Sequence, residues 1–131
     1  MKKSIVLFVS LLLLTLAFTN PAEKLHQKAM ENVTSQVLYK KIDLVEKKKN
    51  PFILKRIASR VNPIKVKKLA ENYSDKTVSR KNLVFFSLTK TQFNNGTHYL
   101  GFGILNRVFI PSQVESYLVD KLSFTNIIYG I

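Results

Sequence analysis

Residues 83–110 read LVFFSLTKTQFNNGTHYLGFGILNRVFI, and the choice of fold class turns on them. Leu83 to Thr91 is rich in aromatic and β-branched residues, the pattern of a strand. Asn95-Gly96 then supplies a hairpin signal, because a type I′ turn needs positive φ at both central positions and Asn-Gly adopts it readily. A second strand, Thr97 to Ile110, is expected to return antiparallel. With Asn95-Gly96 at the turn, Asn94 faces Thr97, Phe86 faces Leu105 and Leu88 faces Gly103. Gly101 and Gly103 flank Phe102 and predict a bulge or the close approach of another element. Pro111 ends the strand.

Downstream, Ser112 and Glu115 form an S-x-x-E capping-box pattern that opens a helix running to about Leu122. The apolar tail, Ser123 to Ile131, reads as a further strand. Upstream, residues 72–81 are polar and aperiodic and read as a loop. Before them stand three Asn-Pro pairs, Asn20-Pro21, Asn50-Pro51 and Asn62-Pro63. Each is expected to be an N-cap with proline at the first helical position, where its missing N–H costs nothing. The first of these helices runs from Pro21 to about Lys47, with Leu25, Ala29, Val33 and Val37 as its apolar stripe. The second places Phe52, Ile53, Ile57 and Val61 on one face and Lys55, Arg56 and Arg60 on the rest. The third, with Ile64, Lys65, Val66 and Leu69, ends near Asn72.

The class is therefore α+β: an N-terminal apolar helix, two or three basic amphipathic helices, an antiparallel β-hairpin, and a short C-terminal helix or strand. Residues 1–20 form a separate leading segment, and 21–131 form one small domain (helices 21–72, hairpin 82–110, C-terminal element 112–131). The 131-residue chain contains no cysteine, which excludes disulfides and thiolate metal sites.

The leading segment begins Met1-Lys2-Lys3, a start of bacterial type, and continues Ile5 to Phe18 as IVLFVSLLLLTLAF. A basic start before an apolar run of this length matches an export signal, and it approaches the roughly 20 apolar residues of a spanning helix. Ile5, Leu7, Leu11, Leu14 and Phe18 mark the membrane segment. Ala17 would suit position −3 of a cleavage site, but Thr19 at −1 and the nearby Pro21 do not favour a cut, so the expectation is an uncleaved anchor. Lys2 and Lys3 hold the N-terminus in the cytoplasm and send the body outward. The expected location is the bacterial cell membrane with an exported C-terminal domain, or a secreted or periplasmic protein if the segment is removed.

The charge is lopsided. Twenty-one Lys and Arg against eight Asp and Glu give a net +13. Fourteen of the basic residues, with four of the acidic ones, fall between residues 40 and 81. Such a field attracts polyanions. The candidate anionic-surface residues are Lys47, Lys48, Lys49, Lys55, Arg56, Arg60, Lys65, Lys67 and Lys68. The competing reading is a solvated surface enriched in lysine by composition alone.

No chemistry of a reaction is visible. His26 and His98 lack a His, Cys or carboxylate partner at ligand spacing, and both are expected to be exposed and unpaired. Asp43 and Glu46 share a helix face but neighbour Lys40, Lys47 and Lys49, which suits surface ion pairing. There is no nucleophile elbow and no glycine-rich phosphate loop. Three Asn-x-Ser/Thr triplets, at Asn32, Asn72 and Asn95, are assigned no glycans. The expectation is a protein that is not an enzyme, with no catalytic residues, metal or cofactor.

The chain resembles a family of short bacterial membrane-anchored or exported proteins known only as a domain of unknown function. The resemblance rests on the span ending in Ala17-Phe18-Thr19-Asn20-Pro21, on Arg80-Lys81-Asn82-Leu83-Val84-Phe85-Phe86-Ser87-Leu88, and on Tyr99-Leu100-Gly101-Phe102-Gly103-Ile104-Leu105-Asn106 closed by Val108-Phe109-Ile110-Pro111. These motifs cover about half the chain. The resemblance implies a membrane-attached, exported small domain and transfers no activity or site. The basic 40–81 segment and the tail beyond Pro111 lie outside the pattern.

The functional expectation is a membrane-tethered or exported envelope protein that meets membrane lipid or an anionic surface polymer through its basic helices. One alternative is an interaction module in which Phe85, Phe86, Phe102 and Phe109 exceed what the core can bury and dock on a membrane protein; the competing reading makes those phenylalanines core. A nucleic-acid binder is the remaining alternative if the chain is not exported, and export argues for no nucleic-acid partner. Oligomeric state is left open.

Overall fold

The computed structural model describes residues 1–47 and 62–129. Within them the order is α1 (Lys2–Phe18), α2 (Glu23–Lys47), α3 (Pro63–Thr77), β1 (Val78–Asn82), β2 (Ser87–Phe93), β3 (Gly96–Ile104), β4 (Arg107–Phe109), α4 (Gln113–Lys121) and α5 (Phe124–Tyr129). The architecture is α+β. The strands form one antiparallel meander in the order β1-β2-β3-β4. Helices α2 and α3 pack together and against the sheet, α4 packs on α2, and α5 on α3. The Asn50-Pro51 cap, the helix expected after it, and Lys48, Lys49, Lys55, Arg56 and Arg60 lie outside the described residues.

Asn62-Pro63 caps as expected: Asn62 is extended, its side chain accepts from the Ile64 N–H at 3.2 Å, and Pro63 opens the helix. The helix does not stop near Asn72. Val66, Ala70, Tyr73, Ser74 and Thr77 are buried, a spacing of four and three that carries the inward face a full turn further. Ser74, Asp75 and Lys76 made that turn look like loop in the sequence. The rest of the expected loop is β1, whose side chains grade from buried Val78 to exposed Lys81 and Asn82. A short, charged edge strand of this kind has almost no apolar signature.

Asn20-Pro21 is not a cap. Helix α2 starts at Glu23, and the Asn20 side chain is used elsewhere, as described below. The buried face of α2 also lies one residue further round than the expected stripe. His26, Gln27, Met30, Thr34, Val37 and Leu38 are buried, whereas Leu25 is exposed and Ala29 and Val33 sit at the margin. The face is chosen by the surface opposite, which is partly polar.

The expected first strand begins late. Leu83–Phe86 is a turn closed by hydrogen bonds from Leu83 N to Phe86 O and from Phe85 N to Leu83 O, both 2.9 Å. Asn82 Oδ1 accepts from Val84 N, an Asx-turn. The hairpin turns on Asn94-Asn95 rather than Asn95-Gly96: both asparagines have positive φ (49° and 59°), and Phe93 pairs with Gly96. Leu88 therefore faces Phe102, and Ser87 faces Gly103. The expected bulge is present, between Thr89 and Lys90 on β2, opposite Leu100 on β3. The returning strand is also two strands, because Leu105 and Asn106 take positive φ (51° and 58°) and fold β4 back on β3.

Helix α4 forms where expected, burying Val114 and Leu118 and followed by buried Leu122. Its capping box does not form: Ser112 is itself helical and makes no side-chain cap, and Glu115 instead pairs with Lys40 at 2.9 Å. The tail is helix, not strand. Ser123 and Asn126 hydrogen-bond reciprocally at the start of α5, and Ile127 is buried. An N-terminal polar exchange with a single inward apolar side chain is enough to define one short helix docked on α3.

Candidate functional site

Three regions carry polar or apolar groups beyond what the core requires: α1, the basic end of α2 and α3, and the sheet end that meets α1.

Helix α1 has no buried residue. Ile5, Leu7, Leu11, Leu14 and Phe18 are all exposed, with Phe18 at 85%. Its polar side chains satisfy themselves: Ser10, Thr15 and Thr19 donate to the carbonyls four residues back at 2.8, 2.9 and 2.7 Å. The helix is roughly 26 Å long at 1.5 Å per residue. Among the described residues no single helix is long and apolar enough to cross a membrane; α1 and α2 taken together reach that length and composition, bent by 60° at the break.

Of the candidate basic residues, Lys47, Lys65, Lys67 and Lys68 are described. Lys24 and Asp75 form an ion pair at 3.3 Å, which sets the start of α2 beside the end of α3, so the two helices run antiparallel. Lys47, at the last turn of α2, is thus at the opposite end, whereas Lys65, Lys67 and Lys68 lie roughly 10–15 Å along α3 from Asp75; all four are exposed. Lys47 is paired with Asp43 at 2.7 Å, a contact that holds its ammonium above the usual lysine range. The 25 residues of α2 separate Lys47 from α1 by roughly 37 Å. The structure places Lys47 far from the membrane segment and Lys65, Lys67 and Lys68 at an intermediate distance from it.

The junction after α1 is tied to the sheet. Asn20 Nδ2 lies 2.8 Å from Asn82 Oδ1, 2.9 Å from Val84 O and 3.1 Å from Phe86 O. Asn106 N donates to Thr19 O. The β1–β2 turn and the β3–β4 turn are therefore both bonded within two residues of the end of α1. Leu83, Val84, Phe85, Phe86 and Leu105 on these turns are exposed, as are Phe102 and Phe109, whose rings stack at 5.3 Å. The four phenylalanines at 85, 86, 102 and 109 are not core. Phe102 and Phe109 lie on the sheet face turned away from the helices, where Lys81 is placed over the Tyr99 ring at 5.4 Å.

Next to this junction is a buried polar cluster that the sequence reading placed outside. His26 is 0% exposed. Its Nδ1 is 2.7 Å from Thr89 Oγ1 and its Nε2 is 2.8 Å from Ser87 Oγ. Burial lowers the imidazole pKa from 6.5, and the Arg80 charge lowers it further, against a smaller opposing effect of Glu23. The ring is held neutral between two hydroxyls. Gly103 makes the room: a Cβ there would lie 2.8 Å from both His26 Nε2 and Pro21 Cγ. The sequence did signal a close approach at Gly101 and Gly103, and Ser87-x-Thr89-x-Thr91 is an unusual run of small hydroxyls at strand period; together these point to a polar partner on the facing helix. A hydroxyl bonded to an imidazole has the form of a nucleophile with its base, but Ser87, Thr89 and His26 are all sealed from solvent, so no substrate atom reaches them. His98 is likewise not free: it is half-buried, stacked on Phe93 at 4.2 Å, with Tyr117 OH 3.4 Å from its Nδ1.

Tyr73, buried on the inward face of α3, has its pKa pushed up to about 12 by desolvation and stays neutral. Among the described residues no group of three or more His, Asp or Glu is placed to hold a metal ion. Compared with protein families, with curated proteins and with solved structures, the chain shows no significant match. The family resemblance thus rests on the quoted motifs alone.

Proposed function

We propose that the chain is a non-enzymatic envelope protein held to a membrane by α1, or exported through it, with the α+β body on the outer side and the basic end of α2 and α3 directed at an anionic surface polymer. The observation that supports this reading is α1 itself: seventeen residues with none buried by the body. Each fully covered Leu, Ile or Phe gains about 1.5–3 kcal/mol relative to water, so a helix of this composition favours lipid strongly. Its length falls a few ångströms short of a hydrocarbon core of roughly 30 Å, a mismatch met by local thinning or by Lys2 and Lys3 reaching the head groups.

The choice of polymer over lipid comes from distance. With α1 along the bilayer normal, a 60° bend lifts the far end of α2 roughly 18 Å above the junction. That is about two Debye lengths at physiological salt, too far for strong attraction to the same bilayer. Lys47 is then available to a flexible polyanion, with Lys65, Lys67 and Lys68 continuing the basic surface at a lower level on α3.

Fractionation of cells with intact-mass measurement of the full chain tests the reading. The expected result is an envelope-associated protein, digested by protease from the outer side only. Recovery of the intact chain from the soluble cytoplasmic fraction would overturn it and make nucleic acid the polyanion to examine.

A further inference from the structure

We propose that the sheet end bonded to α1 is an interfacial collar. In this assignment Leu83–Phe86 and Leu105 at the turn tips, with Phe102 and Phe109 beside them, enter the head-group boundary of the same membrane that receives α1. The inference rests on the membrane reading above and adds a second, independent point of lipid contact.

Four observations carry it. First, position: the bonds from Asn20 to Val84 O and Phe86 O, and from Asn106 to Thr19 O, fix both turns at the height where the apolar helix ends. Whatever depth Phe18 reaches, the tips lie within about one helical turn of it. Second, composition: turn tips in water favour Gly, Asn, Asp, Ser and Pro, whereas these tips carry Leu, Val, Phe, Phe and Leu, all exposed. Third, backbone: Val84 at φ 72° and Leu105 at φ 51° hold branched side chains in the left-handed region, a cost an aqueous turn would avoid by using glycine or asparagine. The β2–β3 turn at the other end of the sheet shows that choice, with Asn94 and Asn95 at its two positive-φ positions. Fourth, charge: Arg107 and Lys81 flank the apolar tips and are exposed. Basic side chains around an aromatic cluster suit the boundary between acyl chains and phosphates, where aromatic rings and long cations both settle.

Continuity with α1 selects lipid as the occupant. A protein partner would need a surface that also clears the bilayer at this height, whereas the bilayer is already there. With the collar seated, the body is held at two places and its orientation over the membrane is fixed, which keeps the basic end outward.

The chain has no native cysteine, so single cysteines introduced into the full-length protein take one environment-sensitive fluorophore each. Four variants suffice: Leu11→Cys in α1, Phe85→Cys and Leu105→Cys at the tips, and Asn95→Cys at the far turn. Each is reconstituted in phosphatidylcholine–phosphatidylglycerol vesicles, its fold checked by far-ultraviolet circular dichroism, and quenched with brominated lipid or with aqueous iodide. The collar predicts strong lipid quenching at Leu11, about half as much at Phe85 and Leu105, and only iodide quenching at Asn95. Lipid quenching at Leu11 with the two tips behaving like Asn95 overturns the collar and leaves the anchor standing. Absence of lipid quenching at Leu11 overturns the membrane reading and the collar with it. Tips shielded from both quenchers while Leu11 is in lipid overturn the lipid assignment in favour of a contact between protein surfaces.

Discussion

The interface between α2 and the sheet has two halves built on different chemistry. Towards α4 and α5 it is apolar: Met30, Val37, Leu38, Phe93, Leu118, Leu122 and Ile127 are buried together. Towards α1 the same helix meets the same sheet through His26, Ser87 and Thr89, with Gly103 letting the backbones close. The apolar half draws its stability from area and packing, is tolerant of pH, and is sensitive to lost volume. The polar half gains little net from each hydrogen bond but loses much if one partner is removed, since a buried orphan carries its full desolvation cost. The body therefore has one end set by shape and one set by protonation, and the second is the end that holds α1.

Breaking the first half should produce the largest effect. Leu118→Ala removes a fully buried side chain and should cost about 3 kcal/mol, read as a lower urea midpoint that changes little between neutral and mildly acidic pH. A pH-dependent loss in that variant would show that the halves are not separable. Gly103→Ala attacks the other half by overpacking; His26 and Pro21 must shift, and the expected cost is about 1–3 kcal/mol, with fluorescence or amide exchange reporting loosening near Asn20 first.

The pH response of the polar half has a definite sign. The folded state holds His26 below its ordinary value of 6.5, so the unfolded chain binds a proton that the native chain refuses. Stability should be full above about pH 6.5 and should fall as pH drops through and below it, until the folded pKa is reached. His26→Gln keeps a polar group in the site without the titration, and its thermal midpoint should be flatter over that window than the parent's. An equal slope in both proteins would remove His26 as the cause. The smallest effect is a gain: Leu105→Gly relieves the left-handed backbone and should stabilise the body by about 0.5–1 kcal/mol in detergent, while weakening lipid quenching at a label on Phe85.

Residue patterns made some of this legible and concealed the rest for physical reasons. Asn62-Pro63 and the Val114–Leu118–Leu122 spacing work because cap and stripe are local signals. The hairpin was legible as a pairing but its turn was displaced by one residue, since two successive asparagines satisfy positive φ as well as Asn-Gly does. β1 and the last turn of α3 were hidden because their inward residues include Ser74 and Thr77, which read as loop when only apolar periodicity is followed. His26 was misplaced for the same reason: its partners are the hydroxyls of a strand some sixty residues on, and no spacing rule links a histidine to Ser87 and Thr89 at that range. The exposed phenylalanines at 85, 86, 102 and 109 could be read either as core or as a docking surface, because apolar composition alone does not say that, among the described residues, the helices pack on the other face of the sheet.

The extra residue at Leu100 has a consequence for how the chain tolerates length changes. Side chains alternate across a strand, so one unpaired position reverses which faces the later residues occupy. Upstream of it, even-numbered residues such as His98 point to the helices; downstream, the odd-numbered Gly101 and Gly103 do. Deleting Leu100 would restore a regular ladder on the pairs already made, Tyr99 with Lys90 and Gly101 with Thr89, and would leave Phe102 outside and both glycines towards the helices. A shortening by one residue is thus absorbed in register at this position, and its cost is the loss of the buried Leu100 side chain, whereas an inserted residue elsewhere in β3 would turn the residues after it to the opposite face.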